Sequence, residues 1–308
     1  MTDGRFFADD GKDAGYGEVT AEVERLAGTY PRLTVRVLGT SVLGRPIPML
    51  VIGSEDAGRS VLMVGAHHGM EHITAAFLLR YVREVCEAQR IGRVMYSFPP
   101  SAVWRDRAVY VVPMLNPDGC ELAVRGLSAG CPLGDALLRM NGGGDFSRWQ
   151  ANARGVDLNH NYDAGFSAYG EIERARGIVP GRTLWSGPSP ESEPETAALA
   201  GFLRTQSSVR AVLSLHTQGE EIYYTSGGRV APRGRETAKL LARLTGYRLA
   251  EPEGTAAYGG LTDWCIGTLG KPAFTVECGR GENPLPASDF FGIYVTIREM
   301  LHTFPMLF

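Results

Sequence analysis

From residue 18 onward the chain alternates between short apolar, β-branched runs and amphipathic stretches of helical period, and this alternation limits the fold more than any other property. EVTAEVERLAGTY (18–30) has helical spacing and is followed by extended segments at 33–39 and 47–53. SVLMVGA (60–66) has the pattern of a buried strand, and residues 74–88 place apolar side chains at helical spacing with charge opposite. AVYVVPM (108–114) reads as another buried strand, stopped by the turn residues Asn116, Pro117, Asp118 and Gly119. Residues 126–150 and 163–191 lack periodicity and read as elaborated loops. Ser192, with Glu195 three positions on, carries a capping-box signature that opens a helix over 193–205. A strand (209–216), a helix (232–246), a strand (272–278) and a final helix (288–304) follow. This order predicts a single α/β domain over 1–308, with a mixed, mostly parallel twisted sheet, helices on both faces, and an irregular lead-in at 1–17.

Sheets of this class bind ligands beyond the carboxyl ends of their strands, and here three strands end on histidine or glutamate. GAHHGMEHIT (65–74) places His68 and Glu71 three apart directly after a strand, so one turn can aim both at a single point. An imidazole and a carboxylate together suit zinc, which takes nitrogen and oxygen donors without a geometric preference of its own. His67 and His72 flank the pair and read as supporting or structural residues. In LSLHTQGEEIYY (213–224), His216 closes an apolar strand. In FTVECGRGENPLP (274–286), Glu277 lies within an apolar strand, where an unpaired carboxylate costs several kcal/mol to bury. Two histidines and one carboxylate form a three-ligand site with an open position, and a separate carboxylate remains for proton transfer.

Composition removes several other classes. Lys and Arg number 31 against 34 Asp and Glu, a formal charge of -3, with no block of like charge. Nothing therefore points to nucleic acid or an anionic membrane, and no protein partner is evident; the expected partner is a small peptide. The acidic amino terminus lacks a basic, apolar leader pattern, and no apolar run approaches the ~20 residues of a membrane helix. Five scattered cysteines without a CxxC pair suit free thiols. The expected location is the cytoplasm.

The segments HGME, NPDG, GVDLNHNYDAGF, SLHTQGEEIYY, GGLTDW and FTVECGRG, in that order, resemble the zinc carboxypeptidase family of the carboxypeptidase A type. More closely they resemble its bacterial branch of γ-D-glutamyl-diamino acid endopeptidases, which act on peptidoglycan peptides. The resemblance implies one zinc ion per chain on His68, Glu71 and His216, and Glu277 as the general base that activates water and then protonates the leaving amine. It implies that Asp157 orients a zinc-binding imidazole, as such ligands generally require. It also implies that Asn159 and His160 receive a substrate carboxylate, and that Thr262 lies at the floor of the side-chain pocket.

Two departures matter. Carboxypeptidases have arginine where this chain has His160, and histidine is neither permanently charged nor forked. A free C-terminus thus loses its usual anchor, which favours the endopeptidase branch. The basic residue that polarises the scissile carbonyl aligns with Gln150, with Arg148 and Arg154 nearby, and Tyr258 is a stand-in for the tyrosine that covers the pocket. The expected activity is hydrolysis of a γ-D-glutamyl-diaminopimelate bond in a muropeptide. The rivals are an ordinary metallocarboxypeptidase, a zinc deacylase of small N-acyl amino acids, and a zinc protein that binds muropeptides without cutting them.

Overall fold

A computed structural model describes residues 6–99 and 101–308. Its strands are β1 (Thr34–Thr40), β2 (Pro46–Gly53), β3 (Ser60–Val64), β4 (Ala108–Val112), β5 (Val209–His216), β6 (Glu221–Tyr223), β7 (Arg248–Ala250) and β8 (Ala273–Glu277). They form one eight-stranded sheet in the order β1-β2-β4-β3-β5-β8-β6-β7. The central pairs β4–β3, β3–β5 and β5–β8 are parallel, as is β6–β7, while β1–β2, β2–β4 and β6–β8 are antiparallel. The expected mixed, mostly parallel α/β sheet is what the chain forms.

The helices are α1 (Tyr16–Thr29), α2 (Ile73–Ile91), α3 (Ser101–Asp106), α4 (Pro117–Arg125), α5 (Gly134–Asn141), α6 (Phe166–Arg176), α7 (Pro194–Thr205), α8 (Gly234–Thr245), α9 (Leu261–Gly267) and α10 (Phe290–Thr303). Strand alternation divides the core into two layers. Leu50, Ile52, Val61 and Met63 pack on one face with residues of α1, α2, α8 and α10. Met49, Val51, Leu62 and Val64 pack on the other with α7 and α9. The outer strand β1 is exposed along most of its length, with Val37 at 62% exposure and a register shift between Val37 and Gly39.

Four sequence expectations need correction. Asn116-Pro117-Asp118-Gly119 does not simply turn the chain: the Asn116 side chain accepts from the Gly119 amide and Pro117 opens α4, the placement its fixed φ and missing donor favour. The supposed loops at 126–150 and 163–191 contain α5 and α6. Helix α7 exists, but not through the capping box. Its N-cap is Glu193, Ser192 donates to the Glu193 carboxylate, and Glu195 turns instead to the Val42 amide and Asn152. The lead-in is not wholly irregular, since Phe7–Asp10 forms a 3₁₀ turn behind a buried Phe6; residues 1–5 of that expectation lie outside the described residues.

Candidate active site

Because β3, β5 and β8 are parallel neighbours, their carboxyl ends deliver His68, His216 and Glu277 to the same edge of the sheet. After β3 the chain forms a 3₁₀ turn, Gly69–Glu71, which brings Glu71 back towards His68. Gly69 has to be glycine here: a Cβ would lie 2.4 Å from the Gly119 carbonyl oxygen and 2.6 Å from that of Trp149. Thr74 secures the turn, donating to the Glu71 carbonyl and accepting from the Ala66 amide. Asn116, fully buried, donates to the carbonyls of His67 and Ala151 and so ties this turn to the loop that carries Gln150.

The donor atoms of His68, Glu71 and His216 all lie within 4.8 Å of one another, and all three residues are buried. Both imidazoles aim Nδ1 at the carboxylate, His68 at 2.8 Å from Oε1 and His216 at 2.9 Å from Oε2. Their outer nitrogens are held from behind: His68 Nε2 lies 3.1 Å from Asp157 Oδ1, and His216 Nε2 lies 3.1 Å from Ser214 Oγ. Convergent inner donors with restrained outer nitrogens fit zinc, whose ligands at ~2.0–2.1 Å would stand a little over 3 Å apart in a tetrahedron.

The charges agree with this grouping. Burial works against ionising Glu71, but His68 and His216 beside it bring its carboxyl down to about 2. Burial also opposes the charge on Asp157, yet the neighbouring His68 and His160 and the Leu184 amide hold it below the ordinary carboxylate range. Glu277 moves the other way: burial, then the negative charge of Glu71, push its carboxyl well above the usual value. Two carboxyls with opposite shifts at one site divide into a permanently ionised group and a proton carrier.

A cavity of about 200 Å³ opens beside this cluster, and His68, Gln150, Asn159, His160, Thr262 and Glu277 line it. Asp157 is fully buried behind His68. Asn159 fixes its side-chain oxygen on the Leu261 amide at 3.1 Å. His160 stacks on Tyr169, ring centroids 4.3 Å apart, and its Nδ1 donates to the Tyr258 carbonyl. That carbonyl reaches His160 because Gly259 turns at φ +73, where a Cβ would lie 2.4 Å from the His160 oxygen. Gln150 accepts a hydrogen bond from the Thr183 hydroxyl.

Arg148 and Tyr258 are not among the cavity's walls. Arg148 points to the surface and pairs with Glu282, while the Tyr258 ring lies against Gly165 and contributes to the site only through its backbone. Arg154 pairs with Glu193. His67 bonds Tyr162 through Nε2 and lies near Ser214 through Nδ1, so it is packed behind His216. Burial, with His216 and His68 adding to it, keeps His67 neutral. His72 begins α2 and faces the Asp13 side of the molecule. Glu220 and Glu221 are engaged by Arg280 and Arg248.

Residues that sequence reasoning did not single out add to the walls, among them Tyr223, Thr225, Asp263 and Thr275. Thr275 was within reach of inference, since it precedes Glu277 by two on β8 and so shares its face. Tyr223 was not, because β6 is only three residues long.

The sequence profile of the family described as zinc carboxypeptidase matches residues 19–300. The chain is 34% identical over 278 residues to the uncharacterized protein YqgT of Bacillus subtilis, covering 90% of this chain and 73% of that protein. It is 32% identical over 282 residues to γ-D-glutamyl-L-diamino acid endopeptidase 1 of Lysinibacillus sphaericus, covering 91% and 69%. Among solved structures, carboxypeptidase A from Helicoverpa armigera has the same fold, with a TM-score of 0.70 at 20% identity over 94% of this chain and 72% of that one.

Proposed function

Given that the chain belongs to the zinc carboxypeptidase family and is a zinc metallopeptidase, we propose that it hydrolyses the amide bond between a γ-D-glutamyl residue and a diamino acid in peptidoglycan-derived peptides. In this reading His68, Glu71 and His216 hold the zinc ion, which supplies Lewis acidity to the scissile carbonyl and to water.

The observation that carries the reading is the character of the cavity wall. Among the described residues that line it there is no lysine or arginine, and a free α-carboxylate in a partly dry pocket is best held by a guanidinium. A C-terminal amino acid would meet only the neutral amides of Asn159 and Gln150 and the imidazole of His160. The similarity to an endopeptidase of that specificity supports the same conclusion.

The protein's own groups then act as follows. Glu277, its carboxyl raised above the usual range, takes a proton from the attacking water and returns it to the leaving amine. Asp157 fixes the ring of His68. Gln150 has its oxygen occupied by Thr183, which leaves its NH₂ as a neutral donor for the carbonyl oxygen. Asn159, with its oxygen on the Leu261 amide, likewise presents its NH₂.

The test is mass spectrometry of L-alanyl-γ-D-glutamyl-diaminopimelate incubated with zinc-loaded protein, beside peptides ending in an ordinary L-amino acid. The expected result is cleavage of the γ-D-glutamyl bond, reduced ~10²–10⁴-fold in Glu277→Gln while zinc content is kept. Preference for the ordinary C-terminal peptides would replace this reading with that of a carboxypeptidase with an altered clamp.

A further inference from the structure

The parallel strands that gather the site residues at their carboxyl ends also gather their amino ends on the opposite side of the sheet. Ser60 of β3 pairs with Ala108 of β4 and with Val209 of β5, and Ala273 of β8 lies beside Val212 of β5. The residues around these starts are basic. Arg59 precedes β3, Arg107 precedes β4, and Arg210 is the exposed residue of β5. With Arg233, the N-cap of α8, Arg59 and Arg210 line an open cavity of about 650 Å³. The five residues of β3, at ~3.3 Å each, separate it from the turn that carries His68 and Glu71.

The charges here do not cancel. Among the described residues the one carboxylate on the cavity wall is Asp106, and it lies 2.6 Å from Arg59. Arg107, beside the cavity, donates to the oxygens of Pro305 and Phe308, so the latter is taken whether or not it carries charge. Burial, then the charge of Arg59, lower the Arg107 pKa, with Asp106 opposing. Arg210 donates to the Gly58 carbonyl at 3.1 Å, and the Arg233 guanidinium rests over the Phe308 ring, 5.3 Å from its centroid. Neither meets a carboxylate among the described residues, whereas Arg36, Arg90 and Arg204, also exposed, each do. Arg233 moreover holds φ +64, a left-handed conformation that long side chains seldom take. A carbonyl steadies one guanidinium and a ring the other, and each keeps most of its five donors for a ligand.

Two steadied guanidinium groups without a counter-charge suit a ligand with more than one negative charge and acceptors in more than one plane. Phosphate has both, since its tetrahedral oxygens accept forks from several directions, while a carboxylate offers a single plane. Pro232, Pro272 and Phe308 supply apolar wall for the rest of the ligand, and the volume is that of a small-molecule site. We propose that this cavity is a second binding site, separate from the candidate active site, for a phosphate-bearing small molecule whose oxyanions are held by Arg210 and Arg233.

The experiment is calorimetric titration of inorganic phosphate and of ribose 5-phosphate into zinc-loaded protein at low ionic strength, where exposed charges are least screened. Wild type is expected to bind at least one probe with a Kd below about 1 mM, and Arg210→Gln and Arg233→Gln each to weaken that binding at least ~10-fold. Tighter binding of ribose 5-phosphate identifies a phosphate ester as the ligand, and equal or weaker binding identifies free phosphate; both support the site. Arg210→Lys keeps the charge without the fork, so it should retain part of the affinity, and it guards against loss of fold. Arg139→Gln, on α5 outside the cavity, removes the same charge and should bind as wild type does. An equal loss in that variant would reduce the effect to net charge and overturn the proposal. So would unchanged affinity in either cavity variant, a wild-type Kd above about 1 mM for both probes, or succinate binding more tightly than phosphate. His68→Ala should keep the binding; loss there would put the phosphate on the metal and overturn the second site.

Discussion

His68 uses its two ring nitrogens for different ends: Nδ1 faces Glu71 and Nε2 faces Asp157. Burial disfavours the imidazolium, but Glu71 and Asp157 outweigh it and raise the His68 pKa well above the ordinary value. In the proposed site a metal would have to displace that proton, so Asp157 would act on zinc affinity through the ring it holds. Asp157→Asn should weaken zinc binding ~10–100-fold, whereas His68→Ala, Glu71→Ala or His216→Ala should each remove most of the zinc. Metal analysis after dialysis against a graded chelator distinguishes the two outcomes. His67→Ala serves as the control and should keep its zinc, because its nitrogens are turned to Tyr162 and Ser214. The adjacency of His67 and His68 shows where sequence stops: both lie past the end of β3, and which of them faces Glu71 depends on the path of that turn and on the pairing of distant strands.

At the scale of elements, the Asn116 side chain links α4, the turn after β3 and the loop around Gln150 through four hydrogen bonds, counting its acceptance from Gly119. Loss of an N-cap costs about 1 kcal/mol, and leaving the His67 and Ala151 carbonyls unpaired in a buried place adds to that. Asn116→Ala should therefore lower the unfolding free energy by about 2–3 kcal/mol in urea titration, with a lower kcat as Gln150 loosens; a loss under 1 kcal/mol would show that the network relaxes. The sequence Asn-Pro-Asp-Gly is legible both as a turn and as a helix start, since the same residues favour both. Only the periodicity of Cys120–Arg125 decides, and six residues are too few. Helices α5 and α6 were hidden for a related reason: glycines at 142–144 and 177 end them early, so no window shows more than two or three turns. The long helices and the central strands were legible because burial imposes a period on them. The metal-ligand candidates were legible because those strands end on them. The cavity of Arg59, Arg210 and Arg233 was not, because only the pairing of strands brings those distant residues together.

Across the whole molecule, α2 and α10 are joined by a half-buried polar centre at Glu84, which accepts from Tyr294, Arg298 and His302. Burial raises its pKa, but the hydrogen bonds from His302 and Arg298 prevail and bring it to about 2. A carboxyl with a depressed folded value contributes stability that is fully present above its unfolded value near 4.5 and is lost as pH falls towards 2. Wild type should therefore lose unfolding free energy steadily between about pH 5 and pH 2, and Glu84→Gln should be less stable at pH 7 with a shallower decline. Equal slopes in the two proteins would place the acid sensitivity elsewhere. No helix among the described residues is long and apolar enough to cross a membrane.

At one margin of the sheet, beyond β2 and β4 and away from the ends of β3, β5 and β8 that carry the candidate site, β1 exposes its valines and one row of backbone donors and acceptors. An uncovered margin of this kind is a template for pairing with another chain, and a local irregularity such as the shift between Val37 and Gly39 shortens the length over which a second strand can zip. For anyone preparing the enzyme this is a matter of handling. Any self-association through this margin should respond to dilution and mild denaturant rather than to added metal, because β1 lies away from the residues that would hold zinc.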